Sequence, residues 1–119
     1  MKVILVNGSP REKGCTYTAL CEVAGALEKN GIETEIFQVG AKPIAGCIGC
    51  NVCLKNGRCF VDDPVNEFVE KAKTADGFVF GSPVHYAAAS GAITSFLDRA
   101  FYGKGNVFAG KLDCFVLQR

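Results

Sequence analysis

The chain has 119 residues, 49% hydrophobic and 21% charged, with 13 basic against 12 acidic side chains and a net charge of +1. That length holds one domain with a core of its own, and the near-neutral balance offers no basic surface to nucleic acid or to an anionic membrane. No apolar run approaches the roughly 20 residues a bilayer span needs, and the run at the start is too short for a signal peptide and is broken by Asn7-Gly8-Ser9-Pro10-Arg11. A cytoplasmic protein is expected.

Val3–Val6 is an apolar run of the kind a buried parallel strand makes. It stops at the small-residue turn Asn7-Gly8-Ser9, and Arg11, Thr16 and Thr18 follow at the mouth of a helical pattern. A helix N-terminus after a glycine-containing loop is an anion site, because its free N–H groups and its dipole favour negative charge. Hydroxyls at Ser9, Thr16 and Thr18 add donors, and Arg11 can meet phosphate oxygens bidentately. The segment therefore reads as a phosphate cradle. The plainer alternative is an ordinary strand-to-helix turn with an exposed arginine. Neither Gly-x-Gly-x-x-Gly nor Gly-x4-Gly-Lys-Ser/Thr occurs, so this is neither a dinucleotide fingerprint nor a P-loop.

Thr16–Lys29 has Leu20, Val23, Ala24 and Leu27 on one helical face, and Asn30-Gly31 signals its C-cap. Thr34–Val39 alternates polar and apolar, as a strand near a sheet edge does. Residues 40–63 lack any period and read as a long functional loop with room for one helical turn. Asp62-Asp63-Pro64 opens the next helix, with a capping carboxylate and then proline in the first turn. Its apolar face is Val65, Phe68, Val69 and Ala72. Gly77–Gly81 reads as a short buried strand, Ser82–Ser90 as a loop, Gly91–Phe101 as a helix bearing Ile93, Phe96, Leu97 and Ala100, and Leu112–Leu117 as a fourth strand.

Strand–helix alternation of this kind predicts βαβ units, a parallel sheet and right-handed crossovers. Ligands of such sheets sit outside the carboxyl ends of the strands. Three loops then share one rim: Asn7–Thr16, Ala41–Cys59 and Ser82–Ser90. The third offers backbone, the only histidine (His85) and Tyr86, which suits a flat conjugated ligand. His85 reads either as a loop side chain satisfied by backbone or as a contact to that ligand, and Tyr86 reads as a packing residue. No second base stands beside His85 to build a Ser/His/Asp triad.

Seven cysteines, an odd number without a signal peptide, argue against a disulfide scaffold. Four are bunched as Cys47-x2-Cys50-x2-Cys53-x5-Cys59, while Cys15, Cys21 and Cys114 read as small packing residues. Four such thiolates suit a [4Fe–4S] cluster. Tetrahedral zinc and free or redox-active thiols are the other two readings.

Gly8-Ser9-Pro10-Arg11 with Gly14-x-Thr16, then Gly81-Ser82-Pro83-Val84-x-Tyr86 with Ser90-Gly91 and Phe96-Leu97-Asp98-Arg99, resemble the NADPH-dependent FMN reductase family of flavodoxin-like proteins. The cysteine block resembles the iron–sulfur flavoprotein branch of that family. The resemblance covers essentially the whole chain. It implies an α/β three-layer sandwich with strand order 2-1-3-4-5 and noncovalent FMN. By that match Ser9, Arg11, Thr16 and the neighbouring Cys15 hold the FMN phosphate, while Pro83, Val84, His85 and Tyr86 line the isoalloxazine ring. Position 15 is Cys where the pattern usually has Asn, and position 85 is His where an aromatic is common. The pattern also continues past strand four, so the domain at residues 1–119 is expected to be C-terminally incomplete, with order 2-1-3-4 and an apolar edge open to association. The resemblance further implies NAD(P)H as electron donor and a quinone, free flavin or other small molecule as acceptor. Ferredoxin-linked electron transfer through the cysteine cluster is the second reading, and a non-catalytic binding module is the third. A homo-oligomer, dimer or tetramer, is implied as well.

Overall fold

Alternate residues of a strand face opposite sides of a sheet, and in β1 (Lys2–Asn7) that parity divides the hydrophobic core in two. The computed structural model describes residues 1–118. In it Ile4 and Val6 join a large cluster on one face, while Val3 and Leu5 join a smaller one on the other. The elements run β1, α1 (Cys15–Lys29), β2 (Glu33–Gln38), α2 (Val52–Asn56), α3 (Pro64–Ala72), β3 (Gly77–Pro83), α4 (Gly91–Phe108) and β4 (Leu112–Gln118). The sheet order is β2-β1-β3-β4, and every pairing is parallel. Helix α1 supplies Leu20 and Ala24 to the smaller cluster, and α3 and α4 supply Phe68, Val69, Ile93 and Phe96 to the larger one. This is the three-layer α/β arrangement that the sequence predicts.

The larger layer is built around Phe68. Its ring centroid lies 5.0 Å from that of Phe96, 5.6 Å from Phe37 and 5.7 Å from Phe78. Helix α3 begins where the sequence places it. Asp63 is extended, its carboxylate accepts from Val65 N at 3.1 Å, and Pro64 occupies the first turn, where its missing N–H costs nothing.

Two elements run past a predicted end by two residues or more. Strand β3 runs on through Ser82 and Pro83, because those residues pair with Leu117 and Gln118 of β4. Helix α4 runs on from Phe101 to Phe108 although Gly103 lies inside it. A helical glycine costs about 1 kcal/mol relative to alanine, and here it leaves room for a neighbour: a Cβ at Gly103 would stand 3.1 Å from Cys53 Sγ. The long loop contains one short helix, α2. β2 and β4 are the sheet edges, and on β4 Leu112, Phe115 and Leu117 are exposed.

Glu35 of β2 ties two layers together, accepting from Lys2 Nζ at 2.9 Å and from Lys71 Nζ of α3 at 2.5 Å. The bonds from Lys71 and Lys2 lower its pKa below the ordinary 4.5, against a smaller opposing effect of burial. A carboxyl with a lowered folded pKa stabilises the fold fully above its unfolded pKa, and this stabilisation fades as pH falls through the folded value. The difference in urea midpoint between the wild type and Glu35→Gln is therefore expected to be constant above about pH 5 and to shrink below pH 4.5. A difference unchanged down to pH 3 would show that the contacts, not the charge, carry the effect.

Candidate functional site

The carboxyl ends of β1, β2 and β3 bring the three loops to one rim, as parallel topology requires. At the first, Gly8 N donates to Gly81 O at 2.8 Å, and a Cβ on Gly8 would stand 2.9 Å from both that oxygen and Ile93 Cβ. Only glycine fits this approach of β1 to β3. Just before it lies Asn7, fully buried. Its Oδ1 accepts from Ser9 N at 3.1 Å, and its Nδ2 donates to Glu12 O at 3.2 Å and to Gln38 Oε1 at 2.6 Å. Gln38 Nε2 donates in turn to Ser9 O at 2.8 Å, and Ser9 Oγ accepts from Arg11 N at 3.1 Å. Residues 7–12 are thus shaped by Asn7 and Gln38 before any ligand arrives.

The loop delivers the chain to α1, whose N-cap is Gly14, with no capping side chain and no acidic residue in the first turn. The first N–H groups of α1 and its dipole therefore remain available to an anion. Ser9 and Thr16 are buried at this turn, while Arg11 and Cys15 are exposed beside it. Thr16 also has a packing duty: a Cβ on Gly81 would stand 2.9 Å from its Cγ2. Cys15 does not pack, and neither does Cys114, because each lies on an exposed face of its element; Cys21 is partly buried.

The third loop is a small antiparallel excursion closed by the bridge Val84–Ala89, with Ala87 at φ 55°. Two serines anchor its base. Ser82 Oγ accepts from Ser90 N at 2.9 Å, and Ser90 Oγ caps α4 by accepting from Ile93 N at 3.4 Å. Pro83 ends β3, Val84 is half-buried, and His85 and Tyr86 are exposed. Tyr86 is 93% exposed, so within this chain it does not pack as the sequence suggests. The excursion presents backbone, an aromatic ring and an imidazole on the same rim as the loop after β1.

The second loop carries the cysteines. All seven cysteines are free, and Cys47, Cys50, Cys53 and Cys59 line one pocket of about 170 Å³. Cys59 is the best held: its N donates to Asn66 Oδ1 at 3.1 Å and its O accepts from Asn66 Nδ2 at 3.0 Å. Cys47 Sγ accepts from Gly49 N at 3.4 Å. Cys47 and Cys50 are exposed, and left-handed backbone at Gly49 and Asn51 flanks Cys50. Among the described residues no three His, Cys, Asp or Glu side chains stand close enough together to hold a metal ion.

Arg99 of α4 reaches into the same pocket. It donates to both carboxylate oxygens of Asp63, to Val61 O at 3.1 Å and to Ala45 O at 3.4 Å. Burial works against its charge, but the bonds to Asp63 and the nearness of Cys59 outweigh it and raise its pKa above the ordinary value. Sequence reasoning passed over Gln38 and Asn66, and it named Asn7 and Arg99 only inside motifs, without a role of their own. Only Arg99 leaves a visible signal, a cation between Phe96 and Ala100 on the buried stripe of α4.

No helix is long and apolar enough to cross a membrane among the described residues. Residues 1–117 match the family model of the NADPH-dependent FMN reductases. An iron–sulfur flavoprotein of Methanocaldococcus jannaschii is 41% identical over 100 residues, which are 84% of this chain and 52% of that protein. One from Archaeoglobus fulgidus is 32% identical over 112 residues, 93% of this chain and 51% of that protein. Among solved structures, RosB with a bound 8-demethyl-8-formylriboflavin-5'-phosphate intermediate superposes with a TM-score of 0.71 at 19% identity, over 98% of this chain and 51% of that one. This likeness shows the flavodoxin-like fold. The chain spans about half the length of the curated relatives it matches. By its sequence match along almost its whole length, the chain belongs to the NADPH-dependent FMN reductase family.

Proposed function

We propose that the chain binds FMN at the three-loop rim and acts in an oxidoreductase that takes electrons from NAD(P)H and passes them to a quinone, free flavin or other small acceptor. The observation that carries this reading is the preshaped, uncapped phosphate loop at the α1 N-terminus. Its donors fit a phosphate monoester: backbone N–H groups, the hydroxyls of Ser9 and Thr16, and the exposed cation Arg11. Bound FMN supplies hydride-accepting and electron-passing chemistry, which asks the protein for position and electrostatics rather than a catalytic triad. Pro83, Val84, His85 and Tyr86 would orient the ring, and the serine-anchored base of their loop holds that orientation. Cytoplasmic location and assembly as a dimer or tetramer belong to the same proposal.

FMN fluorescence quenching with the full chain tests it, with riboflavin as the phosphate-free comparison. The wild type is expected to bind FMN more tightly than riboflavin. A charge-assisted bond is worth about 1.5–3 kcal/mol, so Arg11→Ala is expected to lose about tenfold or more in FMN affinity and nothing in riboflavin affinity. Equal affinity for the two ligands overturns the phosphate assignment. Absence of flavin binding favours the non-catalytic module.

A second reading rests on the pocket shared by Cys47, Cys50, Cys53 and Cys59. Four thiols in this spacing fit an iron–sulfur cluster by donor chemistry, and the relatives are named for one. Binding would draw exposed Cys47 and Cys50 toward the better-held Cys53 and Cys59. Electron exchange with ferredoxin belongs to this reading. An anaerobic absorption spectrum after reconstitution separates the two: flavin bands alone support the reductase, and a broad added shoulder supports the cluster.

A further inference from the structure

The guanidinium of Arg99 has five N–H donors. Two bonds from Nη1 reach Asp63 and Ala45, and two from Nη2 reach Asp63 and Val61. The fifth donor, on Nε, is buried with no partner among the described residues. Leaving a buried donor unpaired costs about 1–3 kcal/mol, so this N–H calls for an acceptor that the described residues do not supply. An anion from solvent is a poor candidate. The larger hollow that Arg99 also lines, about 530 Å³, carries the carboxylates Asp62, Glu67 and Glu70. That hollow shares Cys53, Cys59, Arg99 and Gly103 with the pocket of the four cysteines, so Cys59 and Arg99 line both.

We propose that Arg99 is a positioning residue for the four-thiol site: it pins both ends of the cysteine segment to α4 and gives its Nε–H to the Cys59 sulfur once that sulfur is a metal-bound thiolate. The pinning is visible at Ala45, two residues before Cys47, and at Val61 and Asp63, just after Cys59. Asn66 fixes the Cys59 backbone from α3, so the sulfur beside Arg99 belongs to the cysteine least free to move. An N–H bond and a positive charge at a ligating sulfur stabilise the more negative, reduced state of a cluster and raise its potential. The role in metal binding rests on the cysteine reading above.

The test uses the full chain, prepared anaerobically as wild type, Arg99→Lys and Arg99→Met. Each is titrated with Cd2+ alone, followed by its thiolate-to-metal absorption, and each is separately reconstituted with iron and sulfide. Cd2+ affinity is expected to fall about 10- to 100-fold in Arg99→Met. Arg99→Lys should recover only part of this, because lysine has the charge without the planar fork. The midpoint potential of the reconstituted cluster should fall in both variants, whereas a merely structural Arg99 would leave it unmoved. Asp62→Asn, which breaks the exposed Arg58–Asp62 pair, should change neither quantity. Equal Cd2+ affinity and equal potential across all variants overturn the proposal. If the wild type takes Cd2+ but never iron and sulfide, the cluster reading fails and the Cd2+ ratio alone decides the role of Arg99. If it takes neither, both fall. Should Arg99→Met fail to fold because it strands the Asp63 charge, the Asp63→Asn, Arg99→Met double variant removes the pair together and gives the same readout.

Discussion

Phe68→Ala is expected to destabilise the fold by about 3–5 kcal/mol. Phe68 is fully buried and stands at the centre of the larger core layer, touching rings from β2, β3 and α4. A second ring of α4, Phe108, stacks on it at 5.8 Å. Truncation removes the apolar transfer energy of the ring and leaves a cavity lined by rings from three different elements. Such walls cannot collapse together, so the cavity cost stays near its upper range. Domains of this size have about 5–15 kcal/mol in total, so the variant should sit near the edge of folding at room temperature. Urea denaturation measures it: the midpoint should fall with an unchanged slope. Phe68→Leu, which keeps most of the volume, should lose about 1.5 kcal/mol or less. Equal losses in the two variants would show that the layer repacks freely and that Phe68 is not its centre.

The second large effect is expected at Asn7, where stability and the ligand site are joined. Asn7→Leu keeps the size but removes three hydrogen bonds at once, to Ser9 N, Glu12 O and Gln38. Ser9 N–H is buried, so its lost partner is not replaced by water. The expected cost is about 1–3 kcal/mol, together with a fall of at least about tenfold in FMN affinity, because the loop proposed to hold the phosphate loses its preset shape. Asn7→Asp separates the two effects. It keeps the acceptor for Ser9 N but sets a carboxylate against Gln38 Oε1 and beneath the phosphate loop. FMN affinity should fall further than in Asn7→Leu, while riboflavin affinity distinguishes charge from shape. Unchanged FMN affinity in both variants would mean that the loop is shaped by its own backbone, with Asn7 serving stability alone.

Much of this molecule was legible before any coordinate, and for a common reason. The apolar run of β1, the helical stripe of α1, the Asp63-Pro64 start of α3 and the uncapped turn at Gly14 are all written in residues near one another in the chain. Periodicity and capping are local physics, so the alternation of elements could be read directly, while the 2-1-3-4 order came from the family resemblance. The three-loop rim follows as well, since parallel strands put their carboxyl ends together.

Tertiary structure decided the rest, where the energy comes from residues far apart in sequence. Helix α4 passes through Gly103 because the packing of Phe108 and the close approach of Cys53 outweigh a poor local propensity. Strand β3 continues to Pro83 because β4 pairs with it. Asn7 finds Gln38 at a separation of 31 residues, and Arg99 finds Ala45 at 54. A buried polar group must be matched by whatever the fold brings beside it, and no local pattern says what that will be. Local patterns in the sequence carried the alternation of elements and the rim on which the loops meet, and the family resemblance supplied the layers and the strand order. Only the tertiary structure decided which buried side chains hold those loops in shape, because these bonds exist only once distant segments have packed together.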